Sequence, residues 1–288
     1  MWPTLWIKRI TVPTKREDEK YETDPVDGFR REIVGSWAQD KHKRLRHYID
    51  ISSAARRKFE GNSSYIELYC GPGRSRIKDQ PTLIEGSAVA AGLEGIRRAP
   101  FGHLHIGDID PVNTDACRAR LAQLQITNVS TYVGRAEETA ATIVRGLSKS
   151  ALHLAFLDPY SIEALPFAVI RALTSVPRMD ILIHVSLMDL QRNVKQLMRS
   201  GALSHFAPGW EAHIDTRLRN DQLVLAAFSH WRMLLRELGL KVSDNVERVT
   251  GRKNQPLYWL VLAGFHPLAN QFWDEVSNTE PQARLPLS

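Results

Sequence analysis

Short apolar runs alternate with segments of helical period in the middle of this chain. Five runs predict strands: SYIELY (64–69), HLHIG (103–107), VSTYVG (129–134), ALHLAFL (151–157) and MDILIHVS (179–186). The last two are almost continuously apolar, which is typical of strands covered on both faces. Helical segments separate them: SAVAAGLEGIRRA, PVNTDACRARLAQLQ, AEETAATIVRGLS and LPFAVIRALTS. This order predicts an α/β fold of βαβ units, with a mostly parallel sheet and helices on both faces.

The flanking segments follow other patterns, and we predict an N-terminal arm followed by a single α/β domain over residues 32–288. Charge, Pro and Thr without a sustained period predict the arm. A last strong strand, PLYWLVLAGF, follows a long helical and polar stretch. The predicted boundaries are 1–31 for the arm, 32–60 for a basic helical region, 61–190 for a cofactor-binding core, 191–256 for a helical insertion and 257–288 for the final strand and C-terminal tail.

Basic residues are concentrated in the first predicted helices. Lys41, Arg44, Arg56 and their neighbours lie between apolar positions of helical spacing, which predicts a basic outer face. That face is either a solvated helix surface or a contact for nucleic acid. The net charge of +6 over 288 residues permits an anionic partner but does not require one.

The two cysteines, Cys70 and Cys117, form no CxxC motif or Cys/His cluster, so neither a disulfide framework nor a metal site is predicted. The N-terminus lacks the layout of a signal peptide. The longest apolar run has about half the length that a membrane helix requires. We therefore expect a cytoplasmic protein with no membrane association.

The first strand ends in YIELYCGPGRSR, which places Glu67 on the strand and Gly71 and Gly73 in the following turn. Glycines there let the backbone approach a ligand closely. The second strand ends in GDID, where carboxylates of α/β folds bind a ribose diol. Asp110 is the first candidate and Asp108 the second. Alternatively, Asp110 caps the helix that begins at Pro111.

Three further groups of residues follow strands of the predicted sheet. The interval after Gly73 carries Arg74, Arg76 and Lys78, which are candidate substrate contacts or part of a solvated basic loop. FLDPY places Asp158, Pro159 and Tyr160 at the end of the fourth strand, although Asp-Pro also simply ends strands. Beyond the fifth strand, Asp189, Arg192 and Asn193 are candidate substrate contacts. His184 within that strand is either a general base or a core residue, and its apolar surroundings favour the core.

Several motifs in order resemble the three-Cys-motif partner protein family: VGSWAQDKHKRLRHYIDI, YIELYCGPGRSR, EGSAVAA, GDIDP, FLDPY, MDILIHVSLMDLQRN and LYWLVLAGFHPLANQFW. The resemblance covers the chain from about Val34 to Trp273. It implies association with a separate protein that carries three cysteines. It also implies a likeness to Rossmann-like S-adenosylmethionine-dependent methyltransferases.

The resemblance implies roles for particular residues. Glu67, Gly71 and Gly73 match the acidic-x-x-x-Gly-x-Gly motif for the cofactor, and Asp110 matches the second motif. Asp158, Pro159 and Tyr160 approach the Asp-Pro-Pro-Tyr motif without its second proline. Arg135 stands where many methyltransferases have an acid that faces adenine, and Glu137 is its candidate substitute.

These roles imply a methyltransferase that uses S-adenosylmethionine and acts on an amine, such as that of a nucleic-acid base. Asp158 and a backbone carbonyl would accept the amine protons, and Tyr160 would stack on the base. Two alternatives stay open. One is an adaptor that kept the fold and lost the chemistry, and the other is a nucleic-acid-binding protein without methyl transfer.

Overall fold

The computed structural model describes residues 20–244, 246–250 and 256–278. The strands are β1 (Tyr21–Thr23), β2 (Arg30–Val34), β3 (Ser63–Glu67), β4 (Arg74–Ile77), β5 (Leu83–Glu85), β6 (His103–Asp108), β7 (Val129–Val133), β8 (Leu152–Leu157), β9 (Met179–Val185), β10 (Lys241–Val242), β11 (Glu247–Thr250) and β12 (Pro256–Gly264). The helices are α1 (Trp37–Ile51), α2 (Ser53–Arg57), α3 (Ser87–Arg98), α4 (Pro111–Gln123), α5 (Ala136–Gly146), α6 (Phe167–Leu173), α7 (Leu187–Ser200), α8 (Leu203–Phe206), α9 (Asn220–Glu237) and α10 (Pro267–Asn278).

The large sheet has the strand order β10-β12-β9-β8-β3-β6-β7, and β11 also pairs with β12. Strands β9, β8, β3, β6 and β7 are parallel to one another, whereas β12 runs antiparallel to β9. The predicted fold class, a Rossmann-like and mostly parallel sheet, is confirmed. The five predicted core strands all form, within one or two residues of their expected ends.

Helices cover both faces of this sheet, and the alternation of side chains along its strands explains why. Leu154 and Phe156 of β8 pack in a core with α1, α3, α4 and α10. Ala155 and Leu157 point the other way, into a core with α5, α6, α7 and α9. Because both faces are buried, β8 reads as a continuous apolar run in the sequence.

A second sheet, in the order β1-β2-β4-β5, contains part of the predicted N-terminal arm. Residues 1–19 lie outside the described residues, but residues 21–34 form β1 and β2, so the prediction of an arm is wrong for that part. Charged residues that predicted an arm are instead paired within the folded protein. Asp24 is fully buried and accepts hydrogen bonds from Arg31, Arg74 and Arg120.

The basic helical region also differs from the prediction, because several of its cations point inward. Lys41, Arg44 and Arg56 are buried. Arg56 donates to the Ile49 carbonyl at 2.7 Å and to the Ala99 carbonyl at 3.2 Å. Burial of a cation requires such partners. The predicted basic outer face is therefore wrong for these three residues.

The helical insertion contains α7, α8 and α9 but ends in the short strands β10 and β11, which were not predicted. Aromatic residues of the insertion pack in the core, as expected: Phe228 stacks on Trp259 of β12 with ring centroids 3.9 Å apart, and on Trp231 at 5.8 Å. No helix among the described residues is both long and apolar enough to cross a membrane.

Candidate functional site

A cleft of about 1090 Å3 opens at the carboxyl ends of the parallel strands. Its floor and one wall come from the segments that follow β3, β6, β7, β8 and β9. Residues of β1, β2 and the first two turns of α1 also line it. The crevice at the carboxyl ends of the strands is the usual place for ligands in open α/β sheets.

The two glycines of the first turn have different roles. Gly71 lines the cleft with φ of +56°, and a Cβ atom there would meet only Glu32 Oε2, at 3.8 Å. Gly73 has φ of +81° and is not among the lining residues. A Cβ atom at Gly73 would lie 3.0 Å from the Cα atom of Cys117, so this glycine allows α4 to pack against the turn. Only Gly71 therefore presents its backbone to the cleft.

Asp108 and Asp110 both line the cleft, with different capacity for a ligand. Asp108 accepts from the amides of Gly71 at 3.0 Å and Asp110 at 2.9 Å, and from Asn113 Nδ2 at 3.2 Å. Asp110 caps α4 through the Val112 amide at 2.9 Å and pairs with Arg30. A carboxylate has about four acceptor positions. Asp110 thus has more acceptor capacity left, and the alternative prediction that it caps α4 is confirmed.

Glu67 lies beneath the cleft rather than in its lining. Its carboxyl group is fully buried and accepts from Tyr65 Oη at 2.6 Å and from Ser87 Oγ. Burial raises the pKa of Glu67 to about 8. Glu67 is therefore not positioned to contact a cofactor in the cleft directly. The side chain instead joins β3 to the start of α3.

Asp158 lies at the floor of the cleft, between a lysine and a histidine. Its Oδ2 atom pairs with Lys41 Nζ of α1, and its Oδ1 atom lies 3.3 Å from His184 Nδ1. The three side chains are 11–16% exposed. Burial alone would raise the pKa of Asp158, but the charge of Lys41 and the contact with His184 keep this pKa below its ordinary value.

His184 lines the cleft, so the prediction of a core residue is wrong. Its ring contacts Tyr258 edge-on, with centroids 4.4 Å apart. Burial lowers the pKa of His184 to about 4, although Asp158 acts in the opposite direction. The imidazole is therefore neutral at pH 7, with a lower proton affinity than a free histidine. Its apolar strand context in the sequence gave no signal of this position.

The two residues that were predicted to lie near adenine are both in the cleft. Arg135 and Glu137 line it together, and Arg135 Nε donates to Glu137 Oε1 at 2.6 Å. Pro159 and Tyr160 also line the cleft. The Tyr160 side chain is 77% exposed, with Lys20 Nζ 5.7 Å from its ring centroid. An exposed aromatic ring at a cleft mouth is available for stacking.

Most of the predicted substrate contacts lie elsewhere. Arg74 pairs with Asp24 and Asp27, and Arg76 pairs with Glu22, so both hold the small sheet together. Their segment is strand β4 and not a loop. Of that group, Lys78 alone lines the cleft.

The predicted substrate contacts on α7 also lie outside the cleft. Asp189 accepts from the Ile162 amide at 2.8 Å and from Asn193 Nδ2 at 2.7 Å. Arg192 is exposed, and none of the three residues is in the cleft lining. Their place is taken by Ser186 and Met188, nearer the end of β9.

The cleft is acidic although the chain is basic. Its lining contains more carboxylates than cations: Glu32, Asp108, Asp110, Glu137, Asp158 and Glu163 against Lys20, Lys41, Lys78 and Arg135. This balance favours a ligand that carries positive charge. Among the described residues, no group of three or more His, Cys, Asp or Glu side chains is arranged to hold a metal ion.

No protein-family model matches the sequence, and no curated protein matches it. Several solved structures are similar in fold. An O-methyltransferase from Bacillus cereus in complex with SAH has a TM-score of 0.49 and 10% identity, over 88% of this chain and 93% of that chain. The O-methyltransferase TomG from Streptomyces achromogenes, in complex with SAM, has a TM-score of 0.44 and 15% identity, over 78% and 80% of the two chains.

An rRNA methylase from Streptococcus thermophilus has a TM-score of 0.41 and 12% identity, over 78% of this chain and 93% of that chain. Likenesses of this size do not transfer an activity, a substrate or a partner to this chain.

Proposed function

We propose that the protein is a methyltransferase that uses S-adenosylmethionine. The observation that carries this proposal is the meeting of Gly71, Asp110 and Asp158 in one cleft, at the ends of three adjacent parallel strands. S-adenosylmethionine supplies an electrophilic methyl group on a sulfonium. The protein then has to bind the acceptor, orient it and exclude water.

The residues of the cleft fit this cofactor. Asp110 retains acceptor positions for a ribose diol, and Gly71 leaves its side of the turn open for a close ligand. The excess of carboxylates suits a cationic sulfonium. At about 1090 Å3 the cleft is slightly larger than the roughly 300–1,000 Å3 of small-molecule sites, which leaves room for an acceptor beside the cofactor.

The finer version of the proposal is methylation of a nucleic-acid base amine, together with a three-cysteine partner protein. The exposed ring of Tyr160 supports a planar acceptor. The partner rests on the sequence resemblance. The acidic lining does not favour the phosphate backbone of a nucleic acid within the cleft.

Calorimetric titration with S-adenosylmethionine and S-adenosylhomocysteine tests the proposal. We expect native protein to bind both, and Asp110→Ala to lose at least tenfold in affinity because the diol acceptor is gone. Asp115→Ala is the matched control, since Asp115 is exposed on the same helix α4 outside the cleft. Absence of binding to native protein would refute the proposal.

An adaptor that kept the fold is the second candidate. The ion pair between Arg30 and Asp110 favours it, because Arg30 occupies part of the carboxylate that the cofactor would need. An adaptor predicts no affinity for either compound, so the same titration separates the two candidates.

A further inference from the structure

The cluster of Lys41, Asp158 and His184 at the cleft floor restricts the chemistry of the acceptor. Lys41 Nζ takes one oxygen of Asp158, and His184 Nδ1 lies 3.3 Å from the other. Each oxygen of Asp158 thus faces one of these side chains, although a carboxylate has further acceptor positions. Asp158 is therefore placed to hold Lys41 and His184 in position.

Lys41 and His184 are the members of the cluster that can reach a ligand. Both line the cleft. His184 Nδ1 is buried beside Asp158, which leaves Nε2 as the ring nitrogen for a ligand. An ammonium group has three N–H donors, so Lys41 keeps donors beyond the one that Asp158 receives. The site thus combines a fixed cation with a neutral base.

Charge distinguishes an amine acceptor from a hydroxyl acceptor. A methylated amine passes through a positively charged nitrogen, which the nearby ammonium of Lys41 opposes. A hydroxyl group that loses its proton becomes an oxyanion, which the same ammonium stabilises. The other titratable groups that face this point are His42 of α1, Tyr258 of β12 and Glu67 of β3.

On the basis of the proposed methyl transfer, but in place of the base amine of its finer version, we infer that the acceptor's reacting group is a hydroxyl, with His184 taking its proton and Lys41 holding its oxyanion. The proton moves from the hydroxyl oxygen to His184 Nε2. With S-adenosylmethionine bound, an electron pair of that oxygen would form the new bond to the methyl carbon, and the pair of the broken C–S bond would stay on sulfur. Asp158 is a positioning residue that holds both groups.

The walls beside this cluster point to a phenol as the class of acceptor. Trp37, Leu257, Tyr258 and Met188 line this part of the cleft. The Trp37 ring is seated over Gly35, where a Cβ atom would fall 1.7 Å from the ring. Aromatic and apolar walls of this kind favour a flat, apolar ring.

A chromogenic phenol tests the oxyanion site without any turnover. We would titrate 4-nitrophenol into the protein with S-adenosylhomocysteine present and follow the absorbance of the phenolate. The pKa of the bound phenol should fall by at least about one unit, a tenfold shift toward phenolate. The double variant Lys41→Met/Asp158→Asn, which removes both charges together, should lose the shift. Lys43→Met, on the exposed side of α1, should keep it.

A variant of His184 tests its role as the base separately. His184→Gln should keep the phenolate shift but lose methyl transfer at pH values where the free phenol is protonated, because a base is needed only there. The experiment also measures methyl transfer from labelled cofactor to matched phenol and aniline acceptors. We expect transfer to the phenols.

The outcomes separate the inference from the proposed function. Binding of S-adenosylhomocysteine without a phenolate shift, or transfer to anilines alone, overturns the hydroxyl inference and leaves methyl transfer standing. Absence of cofactor binding refutes methyl transfer and the inference that rests on it.

Discussion

Positive φ angles have different consequences at different glycines of this chain. Gly28 and Gly73 have φ of +75° and +81°, but nothing lies within 4 Å of a Cβ atom placed at Gly28, whereas Cys117 Cα lies 3.0 Å from one at Gly73. Gly28→Ala should cost roughly 1–2 kcal/mol from backbone strain. Gly73→Ala should cost about 1–3 kcal/mol more, because α4 must move.

Denaturant unfolding of the two alanine variants measures this difference. Equal losses of stability would show that α4 adjusts freely, contrary to the close approach at Gly73.

At the scale of single residues, the sequence predicted the positions of Gly71, Asp110 and Asp158 well. Each follows a strand, and the ends of parallel strands converge. Lys41 is predicted to face solvent, because helical spacing does not reveal that the N-terminal end of α1 faces a cleft. The role of Arg30 was equally hidden, since its partner Asp110 lies 80 residues away.

At the scale of elements, the small sheet depends on a buried network of charges. Arg120 of α4 is 2% exposed and donates to Asp27 at 2.9 Å and to the carbonyls of Arg30 and Pro72 at 2.7 Å. This network fixes the β1–β2 hairpin against α4 and the glycine turn. It also fixes the cleft wall that the hairpin forms.

Arg120→Met should therefore loosen the hairpin. Removal of one partner of a buried ion pair typically costs about 3–5 kcal/mol. We expect faster tryptic cleavage after Arg30 and Arg31, measured by mass spectrometry under native conditions. Arg118→Met removes an exposed charge from the same helix and serves as control. Equal cleavage rates in the two variants would contradict the proposed support.

The strands that could be predicted from the sequence differ in one physical property from the strands that could not. The core strands β8 and β9 are buried on both faces, so their apolar runs are visible in the sequence. Strands β1, β2 and β4 are half-buried and rich in Arg and Glu, and several of their charges pair with residues about 50 positions away, as Arg74 does with Asp24. Local pattern carries little information about such pairing.

At the scale of the whole molecule, buried titratable groups predict stability that is highest near neutral pH. Burial lowers the pKa of His42 to about 3, and of His105 and His184 to about 4. These groups bind protons more readily when unfolded, so stability falls as pH decreases from about 6.5 toward 4. Burial also raises the pKa of Glu67 to about 8 and of Asp180 to about 7. Their stabilising contribution is lost as pH rises from about 4 through those values.

The melting temperature as a function of pH tests this balance. Between about pH 4.5 and 6.5 the two sets oppose each other, and above 6.5 the carboxyl groups alone act. We expect a maximum near pH 6–7. Glu67→Gln should flatten the fall between pH 6.5 and 8, because a neutral isostere replaces a neutral carboxyl group. Glu60→Gln, at an exposed position, should leave the curve unchanged. A steeper alkaline fall in Glu67→Gln would contradict the raised pKa.

The antiparallel strand β12 also has a consequence for the order of synthesis. It covers the edge of β9, with Trp259 opposite Val185 and Gly264 opposite Asp180. On the ribosome that partner emerges roughly 80 residues later, about 4–16 s at roughly 5–20 residues per second. Throughout that interval β9 lacks its final neighbour. Its unpaired backbone N–H and C=O groups, on a strand with strongly apolar side chains, are a template for wrong pairing. The nascent chain is therefore most exposed to aggregation during synthesis of the helical insertion, when binding of a chaperone would protect it most.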